Sequence, residues 1–153
     1  MRCLIAFPAL LLLAMPALGQ ERDVPYWASM RATKVNMRVG PSAEYQIQWV
    51  YQREGLPVKV IRVREGWRLI ADPDGTQGWV VARLLSPDRS ALVIGDGPAD
   101  MRSGAGGMGD VRWTLEPGVV GMLGECDAGW CELNVKGHKG WVAEARLWGD
   151  GEP

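Results

Sequence analysis

The sequence is poor in the residues that most catalytic centres require. Its 153 residues include three cysteines, one histidine and one phenylalanine, and the net charge is −1 without any basic run. A nucleophilic cysteine needs a histidine partner, and His138 lies in a turn of glycines and lysines. Nucleic-acid binding needs concentrated positive charge. The composition therefore argues against a cysteine peptidase and against a nucleic-acid-binding protein, and we predict no catalytic residues.

The apolar run at the start of the chain is too short to cross a membrane. Leu4 to Leu13 is apolar apart from Pro8, and small residues precede Gln20. A membrane helix needs about 20 apolar residues. We therefore predict a signal peptide that is cleaved after Gly19, no stable membrane span in the mature chain, and a periplasmic or secreted protein. Cys3 would be removed with the signal.

Glycine and proline are frequent, and they interrupt the chain too often for long helices. The sequence has 20 glycines and 10 prolines, and the β-branched and aromatic runs between them are short. No stretch has a convincing helical period. This pattern is typical of an all-β protein.

One sequence unit occurs twice. Trp67 corresponds to Trp130 at an offset of 63 residues, and Trp79 corresponds to Trp141 at an offset of 62. An offset that varies so little indicates two equal domains of roughly 60 residues, about the smallest size that folds alone. The matching residues are Asn36-Met37-Arg38-Val39-Gly40-Pro41, Tyr45, Gly55, Gly66-Trp67 and Gly78-Trp79-Val80 in the first copy, and Met101-Arg102-Ser103-Gly104, Gly118, Gly129-Trp130-Cys131 and Gly140-Trp141-Val142 in the second.

The order of these residues resembles the bacterial SH3 family, small β-barrels of exported and wall-associated proteins. The resemblance implies a non-catalytic binding or scaffold module of the cell envelope, with a cell-wall peptide or an envelope protein as its partner and no cofactor. We predict a signal peptide at 1–19, a lead-in at 20–30 that is either a spacer or a strand, a first SH3-like barrel at 31–86, a linker at 87–90, a degenerate second barrel at 91–148 and a tail at 149–153.

Aromatic residues of the first copy form the candidate binding site. SH3-type barrels hold extended peptides in grooves lined by aromatic side chains. We predict that Tyr45, Trp49, Tyr51 and Trp67 contribute to such a groove. The corresponding loop of the second copy, residues 105–109, is rich in glycine and has no aromatic residue. We therefore expect the second barrel to be mainly structural.

The two cysteines of the mature chain suggest either a disulfide or a thiol or metal site. Cys126 and Cys131 flank a short turn on facing arms of a hairpin, and exported proteins meet oxidising conditions. A disulfide is the prediction. The alternative is a thiol- or metal-dependent enzyme centred on Cys126, Cys131 and His138, but the C-x₄-C spacing does not match a zinc ribbon and a fourth ligand is missing.

Charge is distributed unevenly between the two halves. Residues 29–86 have 9 Lys and Arg against 5 Asp and Glu, whereas residues 87–153 have 6 against 11. Opposite net charges predict that the two domains touch through weak, salt-sensitive contacts. A third interpretation is a purely structural module in which both domains dock on a larger partner.

Overall fold

The structure is a computed structural model, and it describes residues 22–153. The predicted signal peptide and its cleavage site lie outside the described residues. Fourteen β-strands and three short 3₁₀ turns make up the regular structure of this part of the chain, which confirms the all-β prediction. Within residues 22–153 no helix has the length and apolar character needed to span a membrane.

The first domain is one antiparallel sheet of seven strands. Their order across the sheet is β3-β2-β6-β5-β4-β1-β7. The strands are β1 (Tyr26–Met30), β2 (Val35–Arg38), β3 (Ile47–Tyr51), β4 (Pro57–Arg64), β5 (Trp67–Ala71), β6 (Gln77–Val81) and β7 (Leu85–Ser86), with a 3₁₀ turn at Ala82–Leu84.

The second domain repeats the first strand for strand. Its order is β10-β9-β13-β12-β11-β8-β14, the same connectivity shifted by seven strands. The strands are β8 (Ser90–Val93), β9 (Ala99–Arg102), β10 (Val111–Leu115), β11 (Val120–Asp127), β12 (Trp130–Val135), β13 (His138–Ala143) and β14 (Leu147–Trp148), with 3₁₀ turns at Ala105–Gly107 and Glu144–Arg146. Two tandem all-β domains of the same connectivity are therefore confirmed, although the strand pairing found in residues 22–153 leaves both sheets open rather than closed into barrels.

The lead-in at 20–30 contains a strand of the first domain. Strand β1 pairs with β4, where Tyr26 lies opposite Val60, and with β7, where Met30 lies opposite Leu85. The sequence left a spacer and a strand open for this segment. The pairing on both sides of β1 places it inside the sheet.

Each domain has its own apolar core. In strand β4, Val58 and Val60 are completely buried while Lys59 and Ile61 are only half-buried, because successive side chains of a strand point to opposite faces. Beyond the register shift between Val60 and Arg62, the side chains of Arg62 and Arg64 are exposed. The fully buried side chains include Met30, Met37, Val35, Val58, Val60, Ile70 and Val80 in the first domain, and Val93, Met101, Leu133 and Val142 in the second.

The two domains touch through apolar and hydrogen-bonded contacts. Trp27 and Trp148 meet edge to face with ring centroids 4.7 Å apart, and the hydroxyl of Ser90 donates to the carbonyl oxygen of Gly55 at 2.6 Å. Leu92 and Val120 of the second domain pack against the first core. The predicted contact is present, but the single ion pair among the described residues lies within the second domain. Among the described residues no ion pair joins one domain to the other.

Candidate functional site

A groove of about 390 Å³ lies between the two domains. Its floor and one wall come from the first domain, and the opposite wall includes residues of the second. The lining residues are Trp49, Tyr51, Arg53, Leu56, Asp72, Pro73, Asp74, Thr76, Leu92 and Gly118.

Two of the predicted aromatic residues line this groove from strand β3. Tyr51 lies opposite Val35 and Trp49 lies opposite Met37, so both side chains stand on the same face of the sheet at a spacing of two residues. Tyr51 is at the buried end of the strand, with 7% of its surface exposed, whereas Trp49 is 59% exposed. Strand β3 is an edge strand, and its outer half carries Trp49 beyond the core.

The ring of Tyr51 is fixed by a buried hydrogen bond. Its hydroxyl donates to Asp72 Oδ2 at 2.9 Å and lies 3.4 Å from the sulfur of Met37. Burial raises the pKa of Tyr51 well above its ordinary value, and the bond to Asp72 adds to this rise. The hydroxyl is therefore protonated and committed to Asp72, and Tyr51 contributes a fixed ring to the lining of the groove.

Asp72 organises the turn that forms one wall. Its Oδ1 accepts hydrogen bonds from the backbone N–H groups of Asp74 at 3.0 Å and Thr76 at 2.8 Å. The turn links β5 to β6, where the sequence has Asp72-Pro73-Asp74-Gly75. Aspartate commonly stabilises turns in this way. The carboxylate of Asp72 is thus occupied by the turn and by Tyr51, which leaves Asp74 as the exposed acid at the groove.

The opposite wall crosses the domain boundary. Arg53 lies in the turn before β4, and a β-carbon at Gly118 would be 4.0 Å from its Nη1 atom. Leu92 of strand β8 adds an apolar side chain from the second domain. Sequence analysis missed this wall, because no local pattern records which residues of two domains meet.

Tyr45 and Trp67, the other two predicted site residues, lie elsewhere on the first domain. The ring of Tyr45 packs over Gly40, and its carbonyl oxygen accepts a hydrogen bond from Arg38 Nη1 at 2.6 Å. Trp67 is half-buried at the start of β5, opposite Val81. Neither residue lines the groove that holds Trp49 and Tyr51.

The corresponding loop of the second domain packs on a tryptophan. The ring of Trp130 lies against Gly107 and fills the space that a β-carbon on this residue would occupy. Arg102 Nη1 donates to the carbonyl oxygen of Gly109 at 3.2 Å, as Arg38 does to that of Tyr45. In both domains an arginine thus ties the first long loop back to its strand.

Cys126 and Cys131 form the predicted disulfide across the β11–β12 hairpin. Cys131 is completely buried, and its sulfur lies 3.8 Å from Glu144 Oε1. Cys131 lies opposite Val142, and His138 is four residues before Val142 on the same strand. The ring of His138 lies instead beside that of Trp113, with ring centroids 5.1 Å apart. The three residues of the alternative thiol or metal site therefore do not converge, and sulfurs joined in a disulfide are not thiolate ligands.

Comparisons with known proteins agree with the repeat. The family model described as bacterial SH3 domain matches residues 31–87 and again residues 95–149. Among solved structures, NlpC2 from Trichomonas vaginalis is similar with a TM-score of 0.33 and 11% identity over 84% of this chain and 49% of that one. NlpC1 from Trichomonas vaginalis gives 0.34 and 13% over 92% and 53%. The chain thus spans about half the length of these two proteins. No curated protein matches the sequence.

Proposed function

The chain belongs to the bacterial SH3 domain family, and on this premise we propose that it is an exported, non-catalytic module that binds an extended peptide in the groove between its domains. Domains of this family are generally binding modules of the cell wall and are typically non-catalytic. The observation that carries the proposal is the exposed indole of Trp49 beside the fixed ring of Tyr51.

The groove needs little reorganisation to bind a peptide. Apolar surface removed from water contributes roughly 25 cal/mol per Å². Ordering flexible side chains at a binding site offsets part of this gain, by about 0.5–1.5 kcal/mol for each. The bond between Tyr51 and Asp72 already fixes the groove floor, so a peptide that covers Trp49 retains most of the gain.

The charges at the groove suit a peptide with both an acidic and a basic group. Arg53 supplies a cation on one wall and Asp74 an exposed carboxylate on the other. Peptides of the cell wall and segments of envelope proteins both have this character. We take the wall peptide as the ligand, since cell-wall binding is what the family generally does.

Location in the envelope is supported by three features. The disulfide between Cys126 and Cys131 fits an oxidising compartment, and bacterial SH3 domains occur in envelope or secreted proteins. The apolar run at Leu4–Leu13 has the length and flanks of a signal peptide. We therefore propose export and cleavage after Gly19.

The test is co-sedimentation of the full chain with purified peptidoglycan. Trp49→Ala should lower the bound fraction by about tenfold, as loss of a central aromatic contact does in peptide interfaces. Gln48→Ala is the matched control, because Gln48 is an exposed neighbour on the same edge strand and is absent from the groove lining. Circular dichroism should show that both variants fold.

Two outcomes would contradict the proposal. Equal sedimentation of Trp49→Ala and the unchanged chain would remove the groove from the binding site. No sedimentation of the unchanged chain, together with capture of an envelope protein that depends on Trp49, would replace the wall peptide with a protein partner.

A further inference from the structure

A second cavity, of about 210 Å³, lies in the first domain beside the linker. Tyr26 and Ala28 of β1, Arg68 of β5 and the segment from Ala82 to Pro87 surround it. It shares no lining residue with the groove that contains Trp49. Its lining includes the cations Arg22 and Arg68 and the hydroxyl of Tyr26.

Arg68 and Tyr26 hold each other in a fixed arrangement. Arg68 Nε donates to the Tyr26 hydroxyl oxygen at 3.0 Å, and Nη1 donates to the carbonyl oxygens of Trp67 at 2.9 Å and Glu65 at 3.4 Å. Since the Tyr26 oxygen accepts from Arg68, its own O–H proton is left to donate. Within residues 22–153 neither this proton nor Arg68 Nη2 has an acceptor.

Two cations line the cavity, Arg22 and Arg68. The guanidinium of Arg22 lies 5.8 Å from the centre of the Tyr26 ring and adds a second cation. Among the described residues no carboxylate lines the cavity. The hydroxyl of Ser86, which also lines it, donates to Asp88 at 2.7 Å and is therefore committed.

The second domain shows what occupies the corresponding place there. Leu85 lies opposite Met30 and Leu147 lies opposite Val93, so the register makes Arg89 the counterpart of Tyr26 and Gly149 the counterpart of Pro87. Arg89 Nη2 donates to the carbonyl oxygens of Gly149 at 2.7 Å and Gly151 at 3.1 Å. Burial lowers the pKa of Arg89, and the carboxylate of Asp150, between these glycines, offsets part of this lowering.

The tail of the second domain thus occupies this place through its backbone carbonyls, whereas the equivalent residues of the first domain belong to the linker. Asp88, the counterpart of Asp150 by the same register, accepts a hydrogen bond from Ser86. Planar guanidinium groups bind carboxylates through paired hydrogen bonds. The remaining lining is apolar and shallow, formed by Ala28, Ala82, Leu85 and Pro87. A small apolar side chain fits beside the donors.

We propose that this cavity binds the free terminal carboxylate of a peptide whose last residue is small and apolar. The inference rests on the proposed function in one respect, namely that the ligand is a peptide. Wall peptides and protein C-termini both offer such an end, and the configuration of the last residues distinguishes these two sources.

The experiment titrates the full chain, purified after export, with acetyl-D-Ala-D-Ala and acetyl-L-Ala-L-Ala, each as the free acid and as the C-terminal amide. Binding is followed by isothermal titration calorimetry and by NMR shifts around Tyr26. The free acid should bind about tenfold more tightly than the amide, since hydrogen bonds to charged groups are the stronger ones. A preference for the D-peptide indicates a wall peptide, and a preference for the L-peptide indicates a protein end; both support the site.

Single substitutions test which side chains donate hydrogen bonds to the carboxylate. Arg68→Gln should weaken binding of the acid by about tenfold, and Tyr26→Phe, which removes only the hydroxyl, by about fivefold. Arg62→Gln is the matched control, because Arg62 is an exposed arginine of the neighbouring strand β4 outside the cavity. Arg68 also supports a turn, so Tyr26→Phe keeps the test valid if Arg68→Gln does not fold.

Two results would overturn the proposal. The first is equal affinity of acid and amide, including binding of neither. The second is tighter binding of inorganic phosphate than of either acid. Loss of peptidoglycan binding in Trp49→Ala with unchanged acid binding would leave both inferences standing, so the two can fail independently.

Discussion

The two domains share a frame and differ in the residues placed on it. In both, a glycine of the Gly-Trp-Val segment lies directly against a core methionine, Gly78 against Met37 and Gly140 against Met101. At other equivalent positions the two domains have residues of different chemical types. The positions that fix strand packing are thus duplicated, whereas the positions that face ligands or tails are free to vary.

The β4–β5 hairpin and its counterpart β11–β12 show the largest difference. Val63 lies opposite Arg68 in the first, and Cys126 lies opposite Cys131 in the second. One ladder position therefore holds a cation over an open cavity in the first domain and a covalent cross-link in the second. The cavity proposed to bind a carboxylate in the first domain thus has a covalent cross-link as its counterpart in the second.

Breaking the shared frame should have the largest effect in either domain. A β-carbon at Gly78 would lie 2.7 Å from Met37 Sδ and 3.2 Å from Arg38 O, and one at Gly140 would lie 3.2 Å from Met101 Sδ and 2.8 Å from Arg102 O. Gly78→Ala and Gly140→Ala should each lower the free energy of unfolding by about 3 kcal/mol, the upper range for overpacking. Urea denaturation measures this change.

Gly66→Ala is the control for these two substitutions. A β-carbon at Gly66 would meet nothing within 4 Å. The free energy of unfolding of Gly66→Ala should therefore differ from that of the unchanged chain by less than about 0.5 kcal/mol. If Gly140→Ala were as mild as Gly66→Ala while Gly78→Ala was severe, the two domains would not share this packing requirement.

The frame is the part of the fold that the sequence predicts well. The spacing of Trp67 and Trp79 recurs at Trp130 and Trp141, and each pair lies at the same place in its sheet. The hairpin disulfide also follows from local sequence, because its cysteines are only five positions apart in the chain. Local spacing suffices where the contact itself is local.

Contacts between distant segments were not predictable in this way. Tyr26 meets Arg68 across 42 residues, and Leu92 joins a groove whose aromatic floor belongs to the other domain. The predicted set of Tyr45, Trp49, Tyr51 and Trp67 was chosen for residue type, and two of its members line the groove. Which face an aromatic side chain occupies depends on register, and the bulge between Met37 and Arg38 alters the register along β3.

Loss of the disulfide should have the second-largest effect, and it should destabilise the second domain only. Reduction of the bond between Cys126 and Cys131 should lower the free energy of unfolding of the second domain by about 2 kcal/mol, because the closed loop is short. Hydrogen exchange measured with and without reductant should show faster opening in β11 and β12 and unchanged protection in β4 and β5. Equal loss of protection in both hairpins would show that the domains unfold as one unit.

The smallest expected difference concerns Tyr51, whose counterpart by register is Leu115. Tyr51→Phe removes the hydrogen bond to the buried Asp72 and should cost about 1 kcal/mol at neutral pH. Because the pKa of Tyr51 is raised in the folded state, its contribution to stability is complete below the ordinary tyrosine pKa near 10 and is lost as the pH rises above it. Unfolding in urea at pH 8 and pH 11 should therefore show the gap between the unchanged chain and Tyr51→Phe becoming narrower at the higher pH. Leu115→Val, a change in the corresponding apolar position, should give a gap that does not depend on pH. A gap for Tyr51→Phe that stays constant or widens between these pH values would mean that the hydroxyl ionises no less readily in the folded chain than in the unfolded one.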